Sequence, residues 1–262
     1  MIDDGLFERF PKPDYCLALH VLHRLPAGSV GFTSGWCHAN MDSVDITIYG
    51  KGGHGARPHS AVDPIVTAAQ VITALQTIVS RRIAPSDPGV ITVGSIHGGT
   101  RHNIIPDEVK LQLTVRSYTD EVRKKLLDGI RQITTDICKT MRCPKEPLIV
   151  FDEGYVPAAY NDPKLTAAAV DVFRNLVGKG MVFEMPPTMG AEDFSHYART
   201  LKVPGLQYRV GTVSLVRYEN SLKADGKSLP SLHSALFYPK PEAAIQTALE
   251  SMAHLAIGLL HE

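Results

Sequence analysis

Cysteine is scarce in this 262-residue chain. The four present, Cys16, Cys37, Cys138 and Cys143, follow no metal-binding or disulfide spacing. That scarcity excludes a disulfide-stapled scaffold and reads as free thiols in a reducing, cytoplasmic compartment. Charge of one sign is lacking too, since 27 Lys and Arg balance 27 Asp and Glu. No basic run offers a surface for nucleic acid or for an anionic membrane. No apolar run reaches the length that spans a bilayer. The start of the chain, Met1 to Phe10, is acidic and amphipathic, unlike a signal peptide. Repeats and low-complexity tracts are missing. A Gly-x-Ser-x-Gly elbow is missing as well, which counts against a Ser/His hydrolase built on His233 with Ser231 or Ser234.

What is present is ample apolar material, 44% of residues, enough for one or two buried cores. Residues 2–10 read as the end of a helix. Asp14 to Leu22 is a nearly continuous apolar run, the pattern of a strand buried on both faces of a parallel sheet. Val44, Ile46 and Ile48 alternate with Asp45, Thr47 and Tyr49 in a half-buried strand. Asp63-Pro64 supplies an N-cap and a first-turn proline for a helix with Ile65, Ala68, Ile72, Leu75 and Val79 on one face. Gly89–Ile96 and Val109–Val115 read as two more strands. Thr119 caps a second helix with Val122, Leu126, Ile130, Ile133, Ile137 and Met141 inward, and Leu148–Phe151 is a fourth strand. The order β-α-β-β-α-β is ferredoxin-like. Residues 35–156 therefore read as one inserted domain.

The flanks, 1–34 and 157–262, have the character of an α/β sheet domain. Asp162-Pro163 opens a helix, Met181–Met185 and Leu206–Val210 read as strands, Ala191–Leu201 and Pro239–Leu260 as helices, and 213–230 as a loop. Only one clear strand precedes the insertion, whereas a doubly wound sheet normally has several. The expectation is the C-terminal portion of something longer.

Candidate chemistry is sparse and sorts quickly. His54 sits in Gly50-Lys51-Gly52-Gly53-His54-Gly55-Ala56, where glycines leave it without bulky neighbours, displayed as an acid or oxyanion stabiliser or simply a loop residue. His20 ends the apolar run, and His233 follows the polar loop. Together they supply half a metal site, although each alone reads equally as a core or loop residue. Asn103, in a Gly/Pro/Asp-rich hairpin, carries an amide suited to a carbonyl or carboxylate. Arg116 is either a solvated sheet-face cation or a carboxylate clamp. Gly190-Ala191-Glu192-Asp193 is a turn into a helix, its acids equally explained by the helix dipole.

Several stretches then fall into one order. They are Asp4-Gly5-Leu6-Phe7, Ala18-Leu19-His20, Gly52-Gly53-His54-Gly55-Ala56, Pro58-His59, Asp63-Pro64-Ile65, Gly98-Gly99-Thr100, Asn103-Ile104-Ile105-Pro106-Asp107, Met189-Gly190-Ala191-Glu192-Asp193-Phe194 and Leu232-His233-Ser234. Together they resemble the metallopeptidase/amidohydrolase family of hippurate hydrolases, N-acyl-amino-acid amidohydrolases and auxin-conjugate hydrolases. The resemblance implies an α/β fold in which a di-metal exopeptidase sheet domain is interrupted by a ferredoxin-like lid and dimerisation domain. It implies hydrolysis of N-acyl amino acids or small peptides with two divalent ions (Zn, Mn, Co or Ni), and a homodimer through the lid.

By the same resemblance His20 and His233 fall on metal-ligand positions. His54 falls on the lid histidine that reaches the scissile carbonyl, from the opposite subunit in dimeric relatives. Asn103 and Arg116 fall on substrate-holding positions, and Gly190 begins a pocket-lining turn. The family's Cys/His/Asp ligand motif and Glu-Glu pair are missing, leaving two of roughly five ligands and no general base, where a catalytic zinc site keeps three protein ligands. The expectation is a truncated, inactive chain that holds metal poorly. The alternative is a non-catalytic binding or dimerisation module derived from the family.

Overall fold

The apolar run after Asp14 forms strand β1 (Cys16–Pro26), and a turn through left-handed Gly28 brings the chain back as β2 (Val30–Phe32). The structure is a computed structural model and describes residues 1–261. Before β1 the N-terminal segment makes only a single helical turn, Leu6–Arg9, rather than a helix over 2–10. The chain next passes through β3 (Asp42–Tyr49), α1 (Pro64–Arg81), β4 (Gly89–Gly98), β5 (Glu108–Ser117), α2 (Asp120–Thr140) and β6 (Leu148–Phe151). It continues with α3 (Pro163–Val177), β7 (Val182–Glu184), α4 (Ser195–Leu201), β8 (Gly205–Val213), α5 (Leu215–Ser221) and α6 (Pro241–Leu260). These elements gather into two units. One holds His38–Ala159 and Met189–Asp193; the other holds Met1–Cys37, Tyr160–Thr188 and the stretch from Phe194 onward.

The His38–Ala159 unit follows directly from its pattern. Burial alternates strictly along β3 and β5, as the period of two demands. The strands lie in the order β4-β5-β3-β6, every neighbouring pair antiparallel, which is the ferredoxin-like arrangement. Both helices cover the same sheet face, where Val44, Ile46, Ile48, Leu111 and Val115 share one cluster with Leu75, Ile78, Leu126 and Ile130. Each such side chain contributes about 1.5–3 kcal/mol relative to leaving it in water. The Asp63 carboxylate accepts from the Ile65 and Val66 amides at 2.8 and 3.3 Å, fixing where α1 starts. The buried face of α1 is Pro64, Thr67, Ala68, Val71, Leu75 and Ile78, so the stripe expected through Ile65 is rotated; Ile65 is 41% exposed. The helix is apolar around much of its circumference, and periodicity alone does not choose the inward side.

One charge is buried in this unit. The side chain of Asp42 is 1% exposed and accepts from Arg123 Nε at 2.9 Å and Nη2 at 2.6 Å. Arg123 also lies 3.9 Å from the centre of the Tyr155 ring.

The other unit is a sheet in the order β1-β8-β2-β7, with β1 parallel to β8 and β8 antiparallel to β2. β1 is thus an edge strand. The expectation of burial on both faces is corrected: Val21 is 38% exposed and most of the strand is half-buried. Helices α3 and α6 close one face around Leu206, Tyr208, Val210, Phe173 and Leu255. The Asp162 carboxylate caps α3 by accepting from Lys164 and Leu165 at 2.9 Å each. Burial pushes the Tyr208 phenol up, while its hydroxyl shares a 2.8 Å hydrogen bond with Ser251.

Two further corrections belong here. The segment 213–230 contains helix α5 rather than loop throughout, and α4 begins at Ser195 rather than Ala191. Helix α6 is long and apolar enough, by length and composition, to cross a membrane, against the expectation that no segment is. Its Ala244, Thr247, Ser251 and Leu255 are buried in the sheet core.

Removing the partner of a buried charge costs about 3–5 kcal/mol, because the remaining ion is left uncompensated. Arg123→Ala is expected to lower unfolding stability by about that amount. Asp42→Leu combined with Arg123→Met should recover most of the loss. Urea unfolding of the three proteins checks both statements.

Candidate active site

Glycines build the first part of the site. Gly53 and His54 pair antiparallel with Ile105 and Ile104. The Gly55 amide donates to the Asn103 carbonyl at 2.8 Å. A β-carbon at Gly55 would lie 3.1 Å from that oxygen and 3.2 Å from its carbon, a crowding that glycine avoids where the two backbones approach. At the other end of the pairing the Gly52 amide donates to the Asp107 carboxylate at 2.8 Å, and the Gly50 amide to the Asp107 carbonyl at 2.7 Å. The two motifs that carry His54 and Asn103, far apart in sequence, are one laced structure.

The imidazole is displayed, and its proton is placed. His54 is exposed, and its Nδ1 accepts from the Ala56 amide at 3.1 Å. With the lone pair on Nδ1 engaged, the neutral ring carries its hydrogen on Nε2, facing outward as a donor. Such a donor suits a developing oxyanion.

The second part of the site lies where β5 ends. Arg116 is half-buried and donates from Nη1 to the Met189 carbonyl at 3.1 Å. The next carbonyl, Gly190, accepts from the Ala39 amide at 3.0 Å and lies 3.2 Å from His38 Nδ1. The turn at 189–190 is thereby pinned beside Arg116. Sequence reasoning missed His38 altogether, and its link to Gly190 spans 152 positions, beyond any local signal. It also read Asp107 as turn chemistry, whereas its carboxylate holds the glycine strand.

His20 and His233 belong to the sheet unit. His20 is half-buried near the middle of β1, its Nδ1 2.8 Å from the Val21 carbonyl, which orients the ring and leaves Nε2 free of that contact. His233 is exposed in the turns before α6. Among the described residues no group of three or more His, Cys, Asp and Glu converges to hold a metal ion. A catalytic metal site needs three protein ligands, so the side chains present do not fit one by themselves.

Comparison with known proteins agrees with this anatomy. Residues 38–142 match a family described as the peptidase dimerisation domain. Thermostable carboxypeptidase 2 of Saccharolobus solfataricus is 36% identical over 199 residues, 76% of this chain and 49% of the relative. The N-acetyldiaminopimelate deacetylase of Bacillus subtilis is 33% identical over 257 residues, 96% of this chain and 62% of the relative. A solved Bacillus subtilis structure, described as a dinuclear metal binding peptidase of the M20 family, superposes with a TM-score of 0.74 at 23% identity. It is covered over 60% of its length and 99% of this chain, and it shows the fold. The chain thus carries an M20-type peptidase dimerisation domain on a mixed α/β frame, and its relatives are carboxypeptidases, N-acetyldiaminopimelate deacetylases and amidohydrolases. It spans about half to three-fifths of the length of these relatives.

Gly55→Ala is expected to part the His54 and Asn103 segments without unfolding the unit. Hydrogen exchange at the Gly55 and Ile105 amides should accelerate at least tenfold, while amides in the middle of α2 keep their protection. Unchanged exchange at Gly55 would show that the close approach is not the constraint.

Proposed function

We propose that this chain supplies the lid and part of the sheet domain of a metal-dependent hydrolase that cleaves the amide bond of N-acyl amino acids or small peptides. The observation that carries the reading is the His54 imidazole, its Nε2–H displayed on a glycine-built pairing with the Asn103 segment inside a peptidase dimerisation domain. His54 donates to the carbonyl oxygen as it gains charge. Asn103 and Arg116 hold the carbonyl and carboxylate ends of the substrate, and the turn at Gly190, pinned beside Arg116, shapes the rim. His20 and His233 are proposed ligands of a two-ion centre of Zn, Mn, Co or Ni in a protein that also supplies the remaining ligands and the general base. No step here is routed through that centre, because the described residues do not complete it.

The second reading is a binding or dimerisation module without catalysis. It is favoured by the same lack of a third ligand and by the self-contained core of the His38–Ala159 unit. Metal analysis of the purified chain separates the two. Near-stoichiometric tight metal supports a hydrolytic centre, and none supports the module.

Activity tests the residue roles. The 262 residues alone are expected not to hydrolyse N-acetyl or N-benzoyl amino acids with added Zn²⁺, Mn²⁺ or Co²⁺. Robust metal-dependent turnover would show the catalytic apparatus to be misplaced. In a protein extended to the length of the relatives, His54→Ala should lower kcat by about 10²–10³ with little change in KM, the signature of a contact made in the transition state. Arg116→Ala should chiefly raise KM.

The homodimer is proposed to form at β4. The opposite edge, β6, has four residues and follows Pro144 and Pro147, devices that blunt an edge. β4 runs for ten residues with its outer edge open, and Ile96 on it is 49% exposed although it lies on the helix-covered side. Ile96→Lys is expected to shift sedimentation from dimer to monomer with unchanged circular dichroism.

A further inference from the structure

The end of helix α2 brings two thiols together. Arg142 adopts the left-handed conformation at φ 60°. The Arg142 amide bonds the Lys139 carbonyl at 3.0 Å, and the Cys143 amide bonds the Cys138 carbonyl at 2.9 Å. These paired closures are the Schellman motif, in which the second residue beyond the helix folds back over the third from its end. Hydrophobic side chains usually meet there. In this chain both positions are cysteine. Burial first, with the neighbouring Cys143 sulfur second, pushes the Cys138 thiol up to about 12. Cys138 is buried, while Cys143 is only partly so and is reached from solvent. The 2.9 Å amide–carbonyl bond between the two residues keeps their α-carbons near the separation of about 4.4–6.8 Å that a disulfide spans.

We propose that Cys138 and Cys143 are a thiol–disulfide exchange pair, forming a reversible intrachain disulfide across the helix cap with small-molecule disulfides of the glutathione class as oxidant. The Cys143 thiolate attacks one sulfur of the disulfide R–S–S–R, forming the mixed disulfide and expelling RS⁻, which takes up a proton. Cys138 then loses its proton to solvent and attacks the Cys143 sulfur, and the second RS⁻ leaves and is protonated. The balance is two protein thiols plus R–S–S–R giving one protein disulfide plus two RSH. The second step is slow at neutral pH, because burial still disfavours the Cys138 thiolate once Cys143 is in the mixed disulfide, and it quickens as pH rises. The product locks the cap on which the run from α2 to β6 depends. Cys16 and Cys37, the other two thiols, belong to the sheet unit and take no part.

The test uses the folded 262-residue protein with oxidised glutathione, at neutral pH and near pH 9, followed by acid quenching, alkylation in denaturant and tryptic mapping. Trypsin cuts after Lys139 and Arg142, so the expected product is two peptides joined through Cys138 and Cys143, with Cys16 and Cys37 alkylated. Linkage should form at least tenfold faster at the higher pH and be reversed by dithiothreitol. Cys143→Ser should abolish it, and Cys16→Ser should leave it unchanged. A stable glutathione adduct on Cys143, linkage through another cysteine, or four alkylated thiols at both pH values would each overturn the proposal, and the wild-type protein alone suffices to see them.

Discussion

The close approach of the Gly55 and Asn103 backbones is the constraint on which the rest of the candidate site depends. A β-carbon at Gly55 would press on main-chain atoms at 3.1–3.3 Å, and that backbone would have to give by a few tenths of an ångström. Because the two segments meet, the Gly50–Gly55 loop is not floppy despite its composition. It is held at the backbone amides of Gly50, Lys51, Gly52 and Gly55. The imidazole stands on a braced platform, and its tautomer is set by a local amide rather than by a distant partner. The side chain is positioned before any ligand arrives, so less ordering remains to be done on binding.

Two buried asparagines follow the same economy of fixed partners. Asn161 is buried and donates to the Thr33 and Gln207 carbonyls at 2.8 and 2.9 Å, while its own oxygen accepts from the Gln207 amide at 2.8 Å. Asn40 does the same against Ser117, donating to its hydroxyl and accepting from its amide, each at 2.8 Å. Both asparagines satisfy main-chain groups at strand ends, where the sheet ladder stops and unpaired groups would otherwise be left dry.

Legibility of the sequence tracked how strongly a pattern was forced. β3, β5 and α2 were plain, since strict alternation and a single apolar stripe admit one inward face. α1 was found but misoriented, because its residues are apolar nearly all round. β1 was placed yet misjudged as doubly covered: apolar residues say what a strand prefers, not whether neighbours are present to cover it. Helix α5 hid in a polar segment with Gly and Lys near its end. At the site, His54, Asn103 and Arg116 were each visible as residue types, but their bracing by Asp107, Met189 and His38 runs through contacts distant in sequence. The cysteine pair shows the limit most clearly. A separation of five positions carries no signal until Arg142 turns left-handed and folds the cap back.

The register of β1 on β8, with Cys16 opposite Gly205, sets an order of events in making the protein. β1 leaves the ribosome before the His38–Ala159 unit, and its partner β8 follows only after that whole unit has been synthesised. Closing so long a loop of unfolded chain is slow, and an unpaired apolar edge is exposed to other chains meanwhile. The intervening unit has its own core, so it can fold as it emerges and shorten the gap to be closed. Changes that delay that unit would therefore surface as misassembly of the β1–β8 pair, and a chaperone would be needed at β1 rather than at β8.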